Sequence, residues 1–219
     1  MKENLKYIMN KKIISIIDYG MGNAQSVKNA LHQLNVNSII INSPNSLDKT
    51  NAIILPGVGS FKQAMDNLNQ IGFYKKIDNL VQNESIPFLG ICLGMQLIAK
   101  DSTENELTKG FGWIDARVRK INVSKQYRLP HVGWNQIEKK NNTILLSRVE
   151  NLTNYYFDHT YALFCDKPNI VSSLVTYGNK TMVSSVEDGH IFGTQFHPEK
   201  SQVNGLRVLK AFTKVLYSD

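Results

Sequence analysis

Apolar positions along the chain follow two different periods. In the first half, short β-branched runs at residues 13–17, 52–55 and 86–91 each lead into a glycine-bearing turn, the pattern of strands buried on both faces. Between them the spacing becomes helical. Val27, Ala30, Leu31 and Leu34 stand on one face of a helix, and Tyr74, Ile77, Leu80 and Val81 repeat the arrangement. Strand, loop, helix, strand predicts βαβ units, and hence an α/β fold with an open, mostly parallel, doubly wound sheet flanked by helices. Ligands of such sheets bind beyond the carboxyl ends of the strands, which singles out the loops after Ile17, Leu55 and Ile91.

Beyond residue 111 the chain turns to strand-like segments at 116–123, 154–161, 170–177 and 181–186 with short turns between them. This predicts a β-rich C-terminal half, antiparallel in part. Leu206, Leu209, Phe212, Val215 and Leu216 then return to helical spacing and predict a closing helix that docks on the sheet. No repeat or low-complexity tract interrupts the pattern, and the polar stretch 101–109 is too short to divide it. Residues 12–219 therefore read as one domain behind an N-terminal extension, residues 1–11, in which Met9 is an alternative start.

Composition changes this picture little. At 219 residues, 42% hydrophobic and 20% charged, the chain can build an ordinary core. No apolar run reaches the roughly 18 residues of a membrane helix, and the N-terminus lacks the apolar core of a leader, so a cytoplasmic location is expected. The net charge of +7 comes from scattered basic residues, such as Lys75, Lys76, Lys139 and Lys140, without interleaved aromatics. That argues for a solvated surface or a specific anionic partner and against nucleic acid. Two cysteines, Cys92 and Cys165, are too few for a disulfide scaffold or an all-cysteine zinc site, and no metal site is expected.

The chemistry concentrates at Gly90-Ile91-Cys92-Leu93-Gly94, which follows an apolar strand and precedes an expected helical stretch at 93–100. Glycines two residues to either side of the apex allow the tight strand-to-helix elbow that presents a nucleophile, here a thiol at a helix N-terminus. Gln96 falls one turn on, within reach of a ligand bound there. Cys165 has no elbow and reads as a buried apolar thiol. A thiolate needs a proton-shuttling imidazole and a group to orient it. His197 follows an apolar strand at 191–196, Pro198 keeps it extended, and Glu199 then projects to the same side. His32 and His190 read as surface or flanking residues, while His131 and His159 stay open. A third glycine-bearing loop, at 55–60, places the amides near Val58 and Gly59, with that of Leu93, where an oxyanion would form.

These residues lie in the segments IIDYGMGN (16–23), LPGVGSF (55–61), LGICLGMQL (89–97), PHVGWNQ (130–136), HTY (159–161) and GTQFHPEKS (193–201). Through them the chain resembles the class I (triad) glutamine amidotransferases, and most closely the glutaminase subunits of imidazole glycerol phosphate synthases, over residues 12–212. The resemblance implies cleavage of the glutamine side-chain amide, with Cys92 as nucleophile, His197 as proton carrier and Glu199 as its orienter. It implies that Gln96 and the main chain of His159, Thr160 and Tyr161 hold the substrate, and that Gly57, Val58 and Gly59 form the oxyanion loop. It implies no metal or organic cofactor. The implied partner is a (β/α)8-barrel cyclase, bound as a heterodimer near Asn23 and Lys200. That partner receives ammonia through an internal channel and makes imidazole glycerol phosphate, for histidine synthesis, and an aminoimidazole carboxamide ribonucleotide.

Two departures bear on the acceptor. The extension precedes the usual start, and Trp113-Ile114-Asp115-Ala116 stands where such subunits often carry another turn. Similar subunits supply cyclase-like partners that aminate surface-polysaccharide sugars, which is the alternative acceptor. A stand-alone cysteine hydrolase of γ-glutamyl substrates would use the same elbow and trio. The pyridoxal-type glutaminases carry a GGES-like loop where this chain has PGVGS, and a scaffold with a dead site has no physical need of Cys92, His197 and Glu199 together.

Overall fold

The computed structural model describes residues 12–140 and 143–217, so the expected extension with Met9 lies outside the described residues. The first half runs β1 (Ile14–Ile17), α1 (Ala24–Gln33), β2 (Ser38–Ile41), β3 (Ala52–Gly57), α2 (Phe61–Ile71), α3 (Phe73–Gln82), β4 (Phe88–Cys92) and α4 (Leu93–Leu97). The second is β-rich: β5 (Asp101–Ser102), β6 (Thr108–Lys109), β7 (Ala116–Lys120), β8 (His131–Lys139), β9 (Thr153–His159), β10 (Tyr161–Cys165), β11 (Val171–Tyr177), β12 (Lys180–Asp188) and β13 (Ile191–Thr194), closed by α5 (Gln202–Val215).

Nine strands form one sheet in the order β2-β1-β3-β4-β13-β12-β11-β8-β9. From β2 to β13 the neighbours are parallel, and from β13 to β9 they are antiparallel. The β-rich half thus extends the parallel sheet directly. Side chains of β3 alternate between two cores, Ala52 and Ile54 on one face and Ile53 and Leu55 on the other. Helices α1 and α5 cover the first face through Val27, Leu31, Val208 and Phe212. Helices α2 and α3 cover the second through Phe61, Leu68, Phe73 and Ile77, beside a small sheet ordered β10-β7-β5-β6.

The helix expected over 93–100 ends at Leu97 for a visible reason. The carbonyls of Leu97, Ile98 and Ala99 accept from the N–H groups of Phe111, Trp113 and Gly112 at 2.8–3.0 Å, so they are lost to further helical turns. The strand expected over 154–161 breaks at Thr160, where the chain leaves the large sheet for the small one. The polar stretch 101–109 folds as the hairpin β5–β6. Helix α2 is an addition to the expected elements, although Phe61, Ala64, Met65 and Leu68 carry the helical spacing and Ser60 caps it by accepting from Gln63 N–H at 3.3 Å.

Candidate active site

Strand β4 ends at Cys92, whose backbone takes φ 54° and ψ −108°, a conformation L-residues avoid. The flanking glycines make it possible. A Cβ on Gly94 would sit 1.8 Å from the Leu55 carbonyl oxygen, and one on Gly90 would lie 2.5 Å from the Gly94 main chain. The elbow is therefore wedged between β3 and its own following turn. Side chains larger than hydrogen at either position would push it out of register.

The sulfur lies in a cleft of about 240 Å³ lined by Val58, Gly59, Cys92, Leu93 and Gln96 on one side. Glu104, Pro130, Asp158, His159, Thr160 and Tyr161 line the other. All the expected substrate and oxyanion residues but Gly57 are on this surface. Gly57 is buried at the end of β3, in register with Cys92, and its missing side chain leaves room for the Tyr19 hydroxyl and Leu93. It supports the elbow from behind.

His197 and Glu199 follow β13 at the same sheet end. His197 Nδ1 is 2.8 Å from Glu199 Oε1, with both side chains buried. The ring's Nε2 is buried without a hydrogen-bond partner among the described residues. Burial would lower the His197 pKa, but the negative charge on the adjacent Cys92 sulfur and the Glu199 carboxylate outweigh it and hold the ring up at about 10. Ser201 locks this loop: its buried hydroxyl donates to His197 O at 2.6 Å and accepts from Tyr156 N–H at 3.0 Å, while His197 N–H donates to Tyr156 O at 2.9 Å.

On the far wall, His159 is backed by a second buried histidine, His131. His159 Nδ1 donates to Tyr161 O at 2.8 Å, which leaves its Nε2 to accept from His131 Nδ1 at 2.9 Å, and His131 Nε2 accepts from Asn135 Nδ2 at 3.3 Å. Burial pushes both rings down to about 4. Gln96 adds a second bond to Tyr161 O at 2.9 Å, so the 159–161 segment is clamped from both sides.

Other expectations fall differently. Asn23 is exposed, but its side chain caps α1 by accepting from Ser26 N–H at 3.0 Å. Lys200 is exposed, with its ammonium 5.4 Å from the centre of the Tyr156 ring. His32 is exposed as expected, whereas His190 is half-buried with Nε2 bonded to Val81 O at 2.7 Å. Cys165 is free and half-buried, and burial pushes its thiol up to about 12.

Several site residues are not singled out by the sequence pattern. Gln195 is two residues before His197 and points the same way by the alternation that finds Glu199. Its Nε2 is 3.7 Å from the sulfur. Glu104, whose Oε2 accepts from Phe61 N–H at 2.7 Å, carries no periodic signal. Among the described residues no cluster of three or more His, Cys, Asp or Glu side chains could hold a metal ion, and no helix is long and apolar enough to cross a membrane.

Comparison with known proteins places the chain in a family and a fold. The profile of the family Glutamine amidotransferase class-I matches residues 15–215. The chain is 39% identical over 203 residues to imidazole glycerol phosphate synthase subunit HisH 1 of Campylobacter jejuni (strain RM1221), covering 93% of this chain and 100% of that protein. It is 41% identical over 208 residues to imidazole glycerol phosphate synthase subunit HisH of Geobacillus sp. (strain WCH70), covering 93% and 97%. In fold it is similar to a glutamine amidotransferase from Thermotoga maritima, with a TM-score of 0.61, 18% identity, and 94% of this chain and 84% of that one covered.

Proposed function

The chain belongs to the class-I glutamine amidotransferase family, and from that premise we propose that it is the glutaminase subunit of an imidazole glycerol phosphate synthase in histidine biosynthesis. What carries the chemistry is the Cys92 sulfur, presented by a positive-φ elbow next to the buried His197–Glu199 pair.

The cleft suits glutamine. The carboxylate of Glu104, with Oε1 free of the α2 bond, is the natural counter-ion for the substrate ammonium. The turned main chain at Thr160 and Tyr161 takes the other polar groups, and the side-chain amide reaches the sulfur. Cys92 attacks the amide carbon, and the oxygen that becomes anionic is received by amides of Val58, Gly59 and Leu93. His197 gives its Nε2 proton to the departing nitrogen, releasing ammonia and leaving a glutamyl thioester. The same ring then takes a proton from water, which cleaves the thioester to glutamate. Glu199, bonded to Nδ1, keeps the ring aimed throughout.

The partner is the cyclase subunit, a (β/α)8 barrel that receives the ammonia through an internal channel. Its docking face is the exposed rim formed by Val58, Val132, Trp134 and Lys200. Trp134 packs edge-on against Tyr156, 6.2 Å away, and the Tyr156 ring centre is 6.4 Å from that of His197. A rim of exposed apolar side chains linked through Tyr156 to His197 is the kind of surface a partner covers.

The decisive experiment substitutes Cys92 by Ser or Ala in the assembled synthase. Glutamine-dependent synthesis should vanish while synthesis from free ammonia continues, because ammonia enters after the thioester step. Glutamine turnover within about tenfold of wild type, a barrier change under about 1.4 kcal/mol, would exclude Cys92 as nucleophile.

A further inference from the structure

Gln195 has no part in the mechanism above, yet its side chain is fully buried between the Cys92 sulfur and Gln96, which clamps the cleft wall at Tyr161. Its Oε1 lies 3.0 Å from Gln96 Nε2, and its Nε2 lies 3.7 Å from Cys92 Sγ. The direction of this amide follows from the far end of the network. Tyr161 O can only accept, so the Gln96 atom facing it at 2.9 Å is the amide nitrogen. The second hydrogen of that nitrogen goes to Gln195 Oε1, which leaves the Gln195 N–H directed at the sulfur. Turning Gln195 over would set two NH2 groups against each other and an oxygen against the sulfur.

Two observations give this donor weight. Helix α4 has five residues, so few aligned peptide dipoles support charge at its start. The sulfur also contacts Asp158 O at 3.8 Å. That carbonyl accepts from a thiol and repels a thiolate.

We propose that Gln195 is a further catalytic residue, whose amide N–H binds the Cys92 sulfur, stabilises the thiolate and aims it into the cleft, with Gln96 fixing the amide in that direction. The proposal rests on Cys92 being the nucleophile. A donor on the sulfur favours the charged form over the neutral one, so its loss raises the pH at which the thiol ionises. A residue that only filled space would leave that pH unchanged. The titratable groups around the sulfur are His197 with Glu199, His159, Tyr19, Asp158 and Glu104, and the substitutions below alter none of them.

The test uses the full chain with Cys165→Ser, so that Cys92 is its only thiol, and follows the rate of alkylation by iodoacetamide against pH. With Gln195→Met the midpoint should rise by about one pH unit, an approximately tenfold loss of thiolate at a fixed lower pH. With Gln195→Leu, an uncharged side chain of similar size that also lacks the N–H, it should rise likewise; this variant carries the test if the methionine protein does not fold. Midpoints equal to wild type in the folded variants would overturn the proposal. Glutamine hydrolysis surviving in Cys92→Ala would instead overturn the reading of Cys92 on which it rests.

Discussion

His131 Nδ1 and His159 Nε2 stand 2.9 Å apart with both rings buried. Each ring is held neutral, since its pKa falls from 6.5 to about 4 by burial. The unfolded chain therefore takes up these protons first. The stabilisation is complete above pH 6.5 and is lost as the pH falls from 6.5 toward 4. One such ring contributes about 2 kcal/mol of that loss by pH 5. His131→Asn keeps an N–H directed at His159 and removes one titrating ring, so it should flatten the dependence. Urea unfolding at pH 7 and pH 5 measures this; an equal drop in the variant and wild type would assign the acid sensitivity elsewhere.

The elbow makes a steeper prediction. Gly94→Ala would force a methyl to 1.8 Å from Leu55 O, a main-chain atom of β3 that cannot swing aside. We expect destabilisation by more than about 3 kcal/mol, or failure to fold. Gly112→Ala is the control: its φ of 72° is strained for alanine but nothing lies within 4 Å, so it should cost about 1–2 kcal/mol. Similar melting temperatures for the two variants would show that close approach at Gly94 is not what shapes the turn.

Much of this architecture is written in local pattern. The buried parallel strands announce themselves because both faces are covered, which leaves unbroken apolar runs such as residues 52–55. The elbow and the His197–Glu199 pair are legible because each is a short-range device in which neighbours dictate the backbone. What local pattern does not carry depends on distant contacts. Edge strand β2 is half-exposed and breaks the buried-strand pattern. The early end of α4 reflects carbonyls captured by residues 111–113. Glu104 reaches the cleft, and His131 its place behind His159, through long-range pairing of the hairpin β5–β6 and of β8 with β9.

Ser201 joins the triad loop to β9, since one hydroxyl ties His197 O to Tyr156 N–H. Ser201→Ala leaves both without this partner in a buried place, a cost of about 1–3 kcal/mol. The imidazole should also lose alignment, so kcat for glutamine hydrolysis should fall while KM changes little. Melting temperature and steady-state kinetics of the assembled synthase test the two effects separately; an unchanged kcat would limit Ser201 to a structural role.

The isolated chain should be a poor glutaminase, activated by its partner. Cys92 and the His197–Glu199 pair are wedged in place, and Gly57 is held inside β3 with Tyr19 and Leu93 against it. The next two residues are different. Val58 is 45% exposed and Gly59 sits at φ 100°, so their peptide has room to rotate on the open rim. With an oxyanion donor turned away, the barrier rises by about 3 kcal/mol, a loss on the order of 100-fold. A cyclase covering the Val58–Trp134 rim can bias that peptide toward the cleft if it binds the aligned state more tightly. Adding the partner with its acceptor ligand should then raise glutamine turnover by about tenfold or more, a change in kcat larger than that in KM. Steady-state hydrolysis by the chain alone, with partner, and with partner and ligand measures it. Full activity of the chain alone, unchanged on mixing, would favour a stand-alone γ-glutamyl hydrolase.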